Sequence, residues 1–324
     1  MSTLIEVKDL KKYFHLRGSL GQTRIVRSVD GVSFRIEKGE TFGLVGESGC
    51  GKTTLGRTIT RLYEPTSGQI LFEGTDIAPL SGRSLSKYKR RMQTIFQDPY
   101  SSLNPFMNVE EIIGESLDLS RKLKGAERRE IIEEILEKVG MTKEDLEKYP
   151  HEFSGGQRQR IGIARALVTH PEFVLCDEPI SALDVSIQAQ VVNMLEDLQR
   201  DMGLTYLFVA HDLSMVRHIS RRIAVMYAGR IVEISPAGEL YAHPAHPYTE
   251  ALLSAIPIPN PKAAKETGRI RLSGDPPDPA VLHPGCPFAS RCRFCTKRCQ
   301  EEKPELKEIA AGHLAACFLN QETT

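Results

Sequence analysis

The chain has 324 residues, with 42 Lys and Arg against 42 Asp and Glu, so its formal net charge is zero. That balance argues against a general electrostatic grip on nucleic acid, which usually leaves a basic domain. No apolar run approaches the roughly 20 residues that span a bilayer. The start "MSTLIEVKDLKKYF" shows no secretory pattern.

These features lead to the expectation of a cytosolic chain whose membrane role, if any, is peripheral. The length suits one large domain with an appendage, or two domains. In a reducing compartment, clustered cysteines favour metal over disulfide.

In chain order, "LIEVKDL" and "VSFRIEKGE" alternate as strands, the second running into a Lys-Gly turn. A compact apolar strand, Thr41 to Val45, leads into a glycine-rich loop and a helix from about Gly51. From Val109 to Tyr149 the apolar residues fall at helical spacing among dense charges, which predicts an inserted helical segment. Buried-strand signals return at Phe173 to Cys176 and at Thr205 to Ala210. Strand-helix alternation of this kind implies a parallel sheet. After about Ser235 the proline-rich runs "HPAHPY", "IPIPNP" and "GDPPDP" punctuate short elements.

The loop "GESGCGKTT", Gly46 to Thr54, fits G-x-x-x-x-G-K-[ST] between a predicted strand and a predicted helix, the context of a P-loop. Gly46, Gly49 and Gly51 let the backbone curl so that its amides, with those of Glu47, Ser48, Cys50 and Thr54, face phosphate oxygens. Lys52 reaches the β and γ phosphates, and the Thr53 hydroxyl ligates Mg²⁺. Cys50, at the helix start, is either a neutral filler or a thiol with a lowered pKa. A second apolar strand ends in Asp177 and Glu178. Asp177 suits Mg²⁺, held through water, and Glu178 suits the general base that polarises the attacking water. Cys176, just before them, reads as a small apolar strand residue.

"FSGGQRQRIGIARAL", Phe153 to Leu167, resembles the signature sequence of the ATP-binding-cassette (ABC) ATPases. With the P-loop, "FQDP" at Phe96 to Pro99, "SALD" at Ser181 to Asp184 and "AHD" at Ala210 to Asp212, it reproduces that family's motifs in order. The likeness covers about residues 4 to 235; Phe153 stands where leucine is more usual.

The resemblance implies an α/β fold: a P-loop NTPase core of RecA-like type with an N-terminal antiparallel β subdomain, an inserted α-helical subdomain and a small Cys-rich C-terminal extension. The implied boundaries are 1–95 and 161–235 for the two parts of the core, 96–160 for the Gln97 loop and helical subdomain, and 236–324 for the extension. It further implies a head-to-tail pair of subunits, in which Ser154, Gly155, Gly156 and Gln157 grip the γ-phosphate held on the other subunit's P-loop. Gln97 becomes a sensor of Mg²⁺ or water, His211 the switch residue on the γ-phosphate and Asp184 an interface residue. Tyr13 is the aromatic that stacks on adenine, with Phe14 as its competitor.

Within the family, "FQDPYSSLNPFMNV", "SALDVSIQAQVVNMLEDLQ" and the tail "HPAHPYTEALLSAIP" look like the ATPase subunits of oligopeptide/dipeptide importers. Such subunits work with a second ATPase subunit, two membrane permease subunits and an external solute-binding protein, at the cytoplasmic face of the bacterial inner membrane and without nucleic acid. Some members carry nickel or related solutes. A soluble ABC switch acting in DNA repair or translation is the rival reading.

Five of the seven cysteines follow as Cys286-x₅-Cys292-x₂-Cys295-x₃-Cys299-x₁₇-Cys317. Four thiolates suit tetrahedral Zn²⁺ or a [4Fe–4S] cluster, and spacing does not choose between them. The resemblance points to Cys286, Cys292, Cys299 and Cys317 as [4Fe–4S] ligands, leaving Cys295 spare. His243 and His246 are assigned no ligand role.

Overall fold

The computed structural model describes residues 2–17, 23–120, 125–256 and 270–321, together with Leu123. Most of the "IPIPNP" run lies outside them. The chain forms β1 (Thr3–Arg17), β2 (Thr23–Glu37), β3 (Thr41–Val45), α1 (Lys52–Ile59), β4 (Ser67–Phe72), β5 (Thr75–Asp76), α2 (Gly82–Arg91) and β6 (Met92–Ile95). There follow α3 (Val109–Ser120), α4 (Gly125–Lys138), α5 (Gly155–Leu167), β7 (Phe173–Asp177), α6 (Val185–Met202), β8 (Thr205–Val209) and α7 (Leu213–Ile219). The remainder is β9 (Arg222–Tyr227), β10 (Arg230–Pro236), α8 (Ala237–Ala242), α9 (Pro247–Ser254), α10 (Lys297–Glu301), β11 (Lys307–Ala310) and β12 (His313–Ala315). The long strands, the P-loop helix and the helical segment after Val109 stand where the apolar patterns place them.

The chain divides into two compact units, each assembled from separate stretches of sequence. The first comprises Met1–Ile5, Ile36–Thr41 and Leu71–Val209. Its β6, β7 and β8 run parallel, with Met92 opposite Phe173 and Phe173 opposite Thr205. Every residue of β7 and β8 is buried, which is why both read as unbroken apolar runs rather than alternating ones. Helix α6 turns Val191, Val192, Leu195 and Leu198 inward, and burial of such side chains stabilises by about 1.5–3 kcal/mol each. It stops at Gly203 in the left-handed conformation (φ 67°), the usual helix stop. The fully buried Tyr206 of β8 donates its hydroxyl to Leu195 O at 3.1 Å, tying strand to helix.

The second unit comprises Glu6–Arg35, Phe42–Ile70 and Ala210–Thr324. Its β3 and β9 are parallel, with Val45 opposite Val225. "RIAVMYAGRIV" forms the hairpin β9–β10, which turns through Ala228 and Gly229, both at positive φ (45° and 79°); this is the primed turn that suits twisted strands. The C-terminal extension then adds β12 to β10 and β11 to β12, both antiparallel. The buried Glu233 of β10 fixes this arrangement. Its carboxylate accepts from Ala245 N (2.8 Å) and His246 N (2.9 Å) and meets His313 Nε2 at 2.7 Å. A buried carboxylate persists only when its lone pairs are occupied in this way.

Candidate functional site

In the second unit, the loop from Gly46 to Gly51 joins β3 to α1. Gly46 and Gly51 sit at φ 155° and 110°, and a Cβ on either would lie 2.2 Å from Met226 O or 2.1 Å from Ser28 O. Only glycine permits that approach. Lys52 is buried in the curl, where its ammonium donates to Gly46 O (2.8 Å) and Glu47 O (3.1 Å) and stands 3.5 Å from His211 Nδ1. The fold thus brings Lys52 and His211 together across 159 residues of sequence. Thr53 and Thr54 lie in the first turn of α1, and Ser48 and Gly49 are exposed at the loop tip. Cys50 is buried, and burial pushes its thiol up despite the neighbouring Lys52 charge. Of the two sequence readings, the neutral filler is the one that fits; the lowered thiol pKa is corrected, because desolvation outweighs the helix start.

Tyr13 donates its hydroxyl to Asp30 Oδ1 at 2.5 Å, and the Arg27 guanidinium lies 5.7 Å from its ring centre. Phe14 packs edge-on against Tyr63 at 5.6 Å. Burial and the Asp30 carboxylate push the Tyr13 phenol up to about 12. Arg230 holds the same Asp30 through two nitrogens, at 2.7 and 3.0 Å.

In the first unit, β7 delivers Asp177, fully buried, and then Glu178. Glu178 adopts φ 52°, left-handed for a residue with a side chain, a conformation that costs about 1–3 kcal/mol and clusters at functional sites. Hydrogen bonds on its backbone and on its carboxylate hold it there. Its N–H donates to Val209 O (3.0 Å), its carbonyl accepts from Ser181 Oγ (3.1 Å), and Gln97 Nε2 donates to its Oε2 at 2.7 Å. Gln97 and Glu178, 81 residues apart, are therefore in direct contact.

Ser154 caps α5 with a reciprocal capping box: its Oγ accepts from Gln157 N, and Gln157 Oε1 accepts from Ser154 N at 3.0 Å. A Cβ on Gly156 would lie 2.8 Å from Ile187 Cγ2, so α5 begins hard against the start of α6, which opens after Asp184. The predicted signature and the "SALD" segment are thus neighbours within this unit. The opening of α5 offers a hydroxyl, bare backbone and a helix dipole to an anion.

The extension contains a pocket lined by Cys286, Cys292, Cys299 and Cys317 together with Phe288 and Phe318. Cys295 does not line it and instead donates to Thr296 O at 3.6 Å. Burial raises the Cys286 and Cys317 thiols, to about 12 and about 11. All seven cysteines are free thiols. Among the described residues no three His, Cys, Asp or Glu side chains are arranged to hold a metal ion. His246 caps α9, its Nδ1 accepting from Tyr248 N at 3.1 Å, and burial lowers its pKa to about 4.

Sequence reasoning missed two residues. Arg291, 7% exposed, forks both carboxylate oxygens of Glu47 at 2.8 and 3.1 Å, and the Tyr248 hydroxyl accepts from Glu47 N at 2.8 Å. The available signal was an acid inside an anion-binding loop, which calls for a counter-charge.

The family model "ABC transporter" matches residues 29–181, and the model "Oligopeptide/dipeptide transporter, C-terminal region" matches residues 232–299. The chain is 58% identical over 317 residues to the oligopeptide transport ATP-binding protein OppF of Bacillus subtilis (strain 168), covering 97% of this chain and 96% of that one. It is 53% identical over 323 residues to the putative oligopeptide transport ATP-binding protein YkfD of the same organism, covering 99% and 97%. Among solved structures, it is similar to a dimeric ATP-binding cassette in a post-hydrolysis state bound to ADP and Pi. The TM-score is 0.65 at 27% identity, over 72% of this chain and 99% of that one. Among the described residues no helix is long and apolar enough to cross a membrane.

Proposed function

The chain belongs to the oligopeptide-transport ATP-binding proteins of the ABC transporter family, and from that membership we propose a residue-level account of how it powers import. It is the ATPase subunit of a peptide importer and hydrolyses ATP. The observation that carries the account is the buried Lys52 ammonium at the centre of the glycine loop. An ammonium fixed at the centre of a glycine-rich curl is placed to meet phosphate oxygens.

In this account Lys52 and the loop amides bind the β and γ phosphates, those of Glu47 and Cys50 excepted, since they donate to the Tyr248 hydroxyl and to Glu47 O, and Tyr13 stacks on adenine. Mg²⁺, when bound, neutralises charge on those phosphates, and Thr53, Gln97 and Asp177 supply the oxygens that suit it. Glu178 takes the proton of the attacking water; Gln97, bonded to it, aligns its carboxylate, and His211 contacts the γ-phosphate. Ser154 to Gln157 grip the nucleotide on a partner ATPase subunit, with Asp184 at the interface. The helical segment of residues 96–160 relays nucleotide state to two permease subunits, which an external binding protein supplies. The subunit sits peripherally on the cytoplasmic face of the bacterial inner membrane.

Glu178→Gln tests the account. The amide keeps the Gln97 contact but accepts no proton, so hydrolysis should fall about 10²–10⁴-fold while MgATP binding persists and the closed dimer accumulates. Hydrolysis at the parental rate would overturn the assignment.

Cys286, Cys292, Cys299 and Cys317 are proposed as the ligands of a soft-metal centre, [4Fe–4S] in preference to Zn²⁺. Their shared pocket supports this, and burial that disfavours free thiolates is offset by a cationic centre. Bound, it would staple an extension with little core of its own. Anaerobic purification that yields neither iron nor zinc would remove it.

A further inference from the structure

Glu47 presents an electrostatic problem. It is the second residue of a loop whose amides and lysine are arranged for phosphate, and a carboxylate there repels the ligand. The structure deals with it from the far end of the chain. Arg291, 244 residues away and almost wholly buried, takes both carboxylate oxygens in a bidentate fork and also reaches the Tyr227 hydroxyl at 3.3 Å. Tyr248 accepts from the Glu47 N–H. Both residues belong to a single packed cluster. The Tyr227 and Tyr248 rings lie 4.5 Å apart, and Phe288 contacts them at 5.3 and 5.5 Å. Phe288 and Arg291 ride on the segment between Cys286 and Cys292.

We propose that Arg291 is a positioning residue of the nucleotide site: it cancels the Glu47 charge and holds that carboxylate turned away from the phosphate cradle, so the cysteine-rich extension is a working part of ATP binding. The proposal rests on the assignment of Gly46 to Thr54 as the phosphate loop. A bidentate Arg–carboxylate pair fixes orientation as well as charge, which a lysine would not do. The pair is part-buried, Glu47 being 26% exposed, and truncating one partner of such a pair leaves the other charge uncompensated. Here the uncompensated charge would be negative and would sit in the anion-binding loop.

The test is MgATP affinity of the full chain, read by titration with a fluorescent ATP analogue. Parental protein that binds no MgATP would sink the phosphate-loop assignment itself. Given parental binding, Arg291→Gln should weaken affinity by on the order of tenfold, an uncompensated charge lying beside the ligand. Adding Glu47→Gln should restore it to within about threefold of parental, because the repelling charge is gone although the fork is still absent. A residue that merely staples the fold would show no such rescue. Parental affinity in Arg291→Gln, or a double variant that stays tenfold weak, overturns the proposal. If Arg291→Gln alone does not fold, the double variant decides: near-parental binding supports the proposal, and a folded double variant with tenfold loss refutes it.

Discussion

Replacing Lys52 with methionine separates a functional lysine from a structural one. The side chain is 4% exposed, and its ammonium has two carbonyl acceptors, at 2.8 and 3.1 Å. Hydrogen bonds from charged donors contribute about 1.5–3 kcal/mol each. Against them stands the desolvation of a buried cation, several kcal/mol. The two nearly cancel, and methionine fills the same volume without a charge to desolvate, so the unliganded protein should keep its stability or gain about 1–2 kcal/mol. The ligand side has no such cancellation. Losing a charge-assisted bond to phosphate removes about 2–3 kcal/mol, roughly a hundredfold in Kd. Urea unfolding of the free protein and MgATP titration, run on the same preparation, read both quantities. A variant that is several kcal/mol less stable yet binds MgATP normally would refute the reasoning and make Lys52 a structural residue.

Gly51→Ala should destabilise the loop by about 2–4 kcal/mol, since its Cβ would lie 2.1 Å from Ser28 O at φ 110°; a melting temperature equal to parental would contradict this. His313→Ala should cost about 2–3 kcal/mol in denaturant unfolding, because it takes one of three partners from the fully buried Glu233; an unchanged midpoint would show that the contact is idle. The Tyr13 phenol is raised to about 12, burial and Asp30 favouring its protonated form. Its contribution is therefore complete below pH 10 and fades as pH rises from 10 towards 12. Tyr13→Phe should flatten that alkaline loss while keeping ATP affinity, whereas Tyr13→Ala should weaken affinity; equal pH slopes, or equal affinities, would count against the respective claim.

Much of the site was legible in the sequence because its determinants are local. Glycines spaced around Lys52, an apolar run ending in Asp177 and Glu178, and Ser154 before two glycines each specify a short backbone path through steric freedom, strand periodicity or capping. The structure places them at a tight loop, a buried strand end and a helix start. No local pattern announces that Glu178 sits at positive φ, since that conformation is imposed by Val209 and Ser181. Nor does one reveal that β12 pairs with β10, because pairing follows from an open strand edge and the buried demand of Glu233. The Arg291–Glu47 fork is the extreme case. Arg291 alone reads as an ordinary surface charge and Glu47 asks only for some counter-charge, and only the packing of Phe288 on Tyr227 and Tyr248 brings them within 3 Å. Composition and spacing thus determined which chemistry the chain carries; long-range packing decided which charges meet, because burial makes a counter-charge obligatory without saying where in the sequence it must lie.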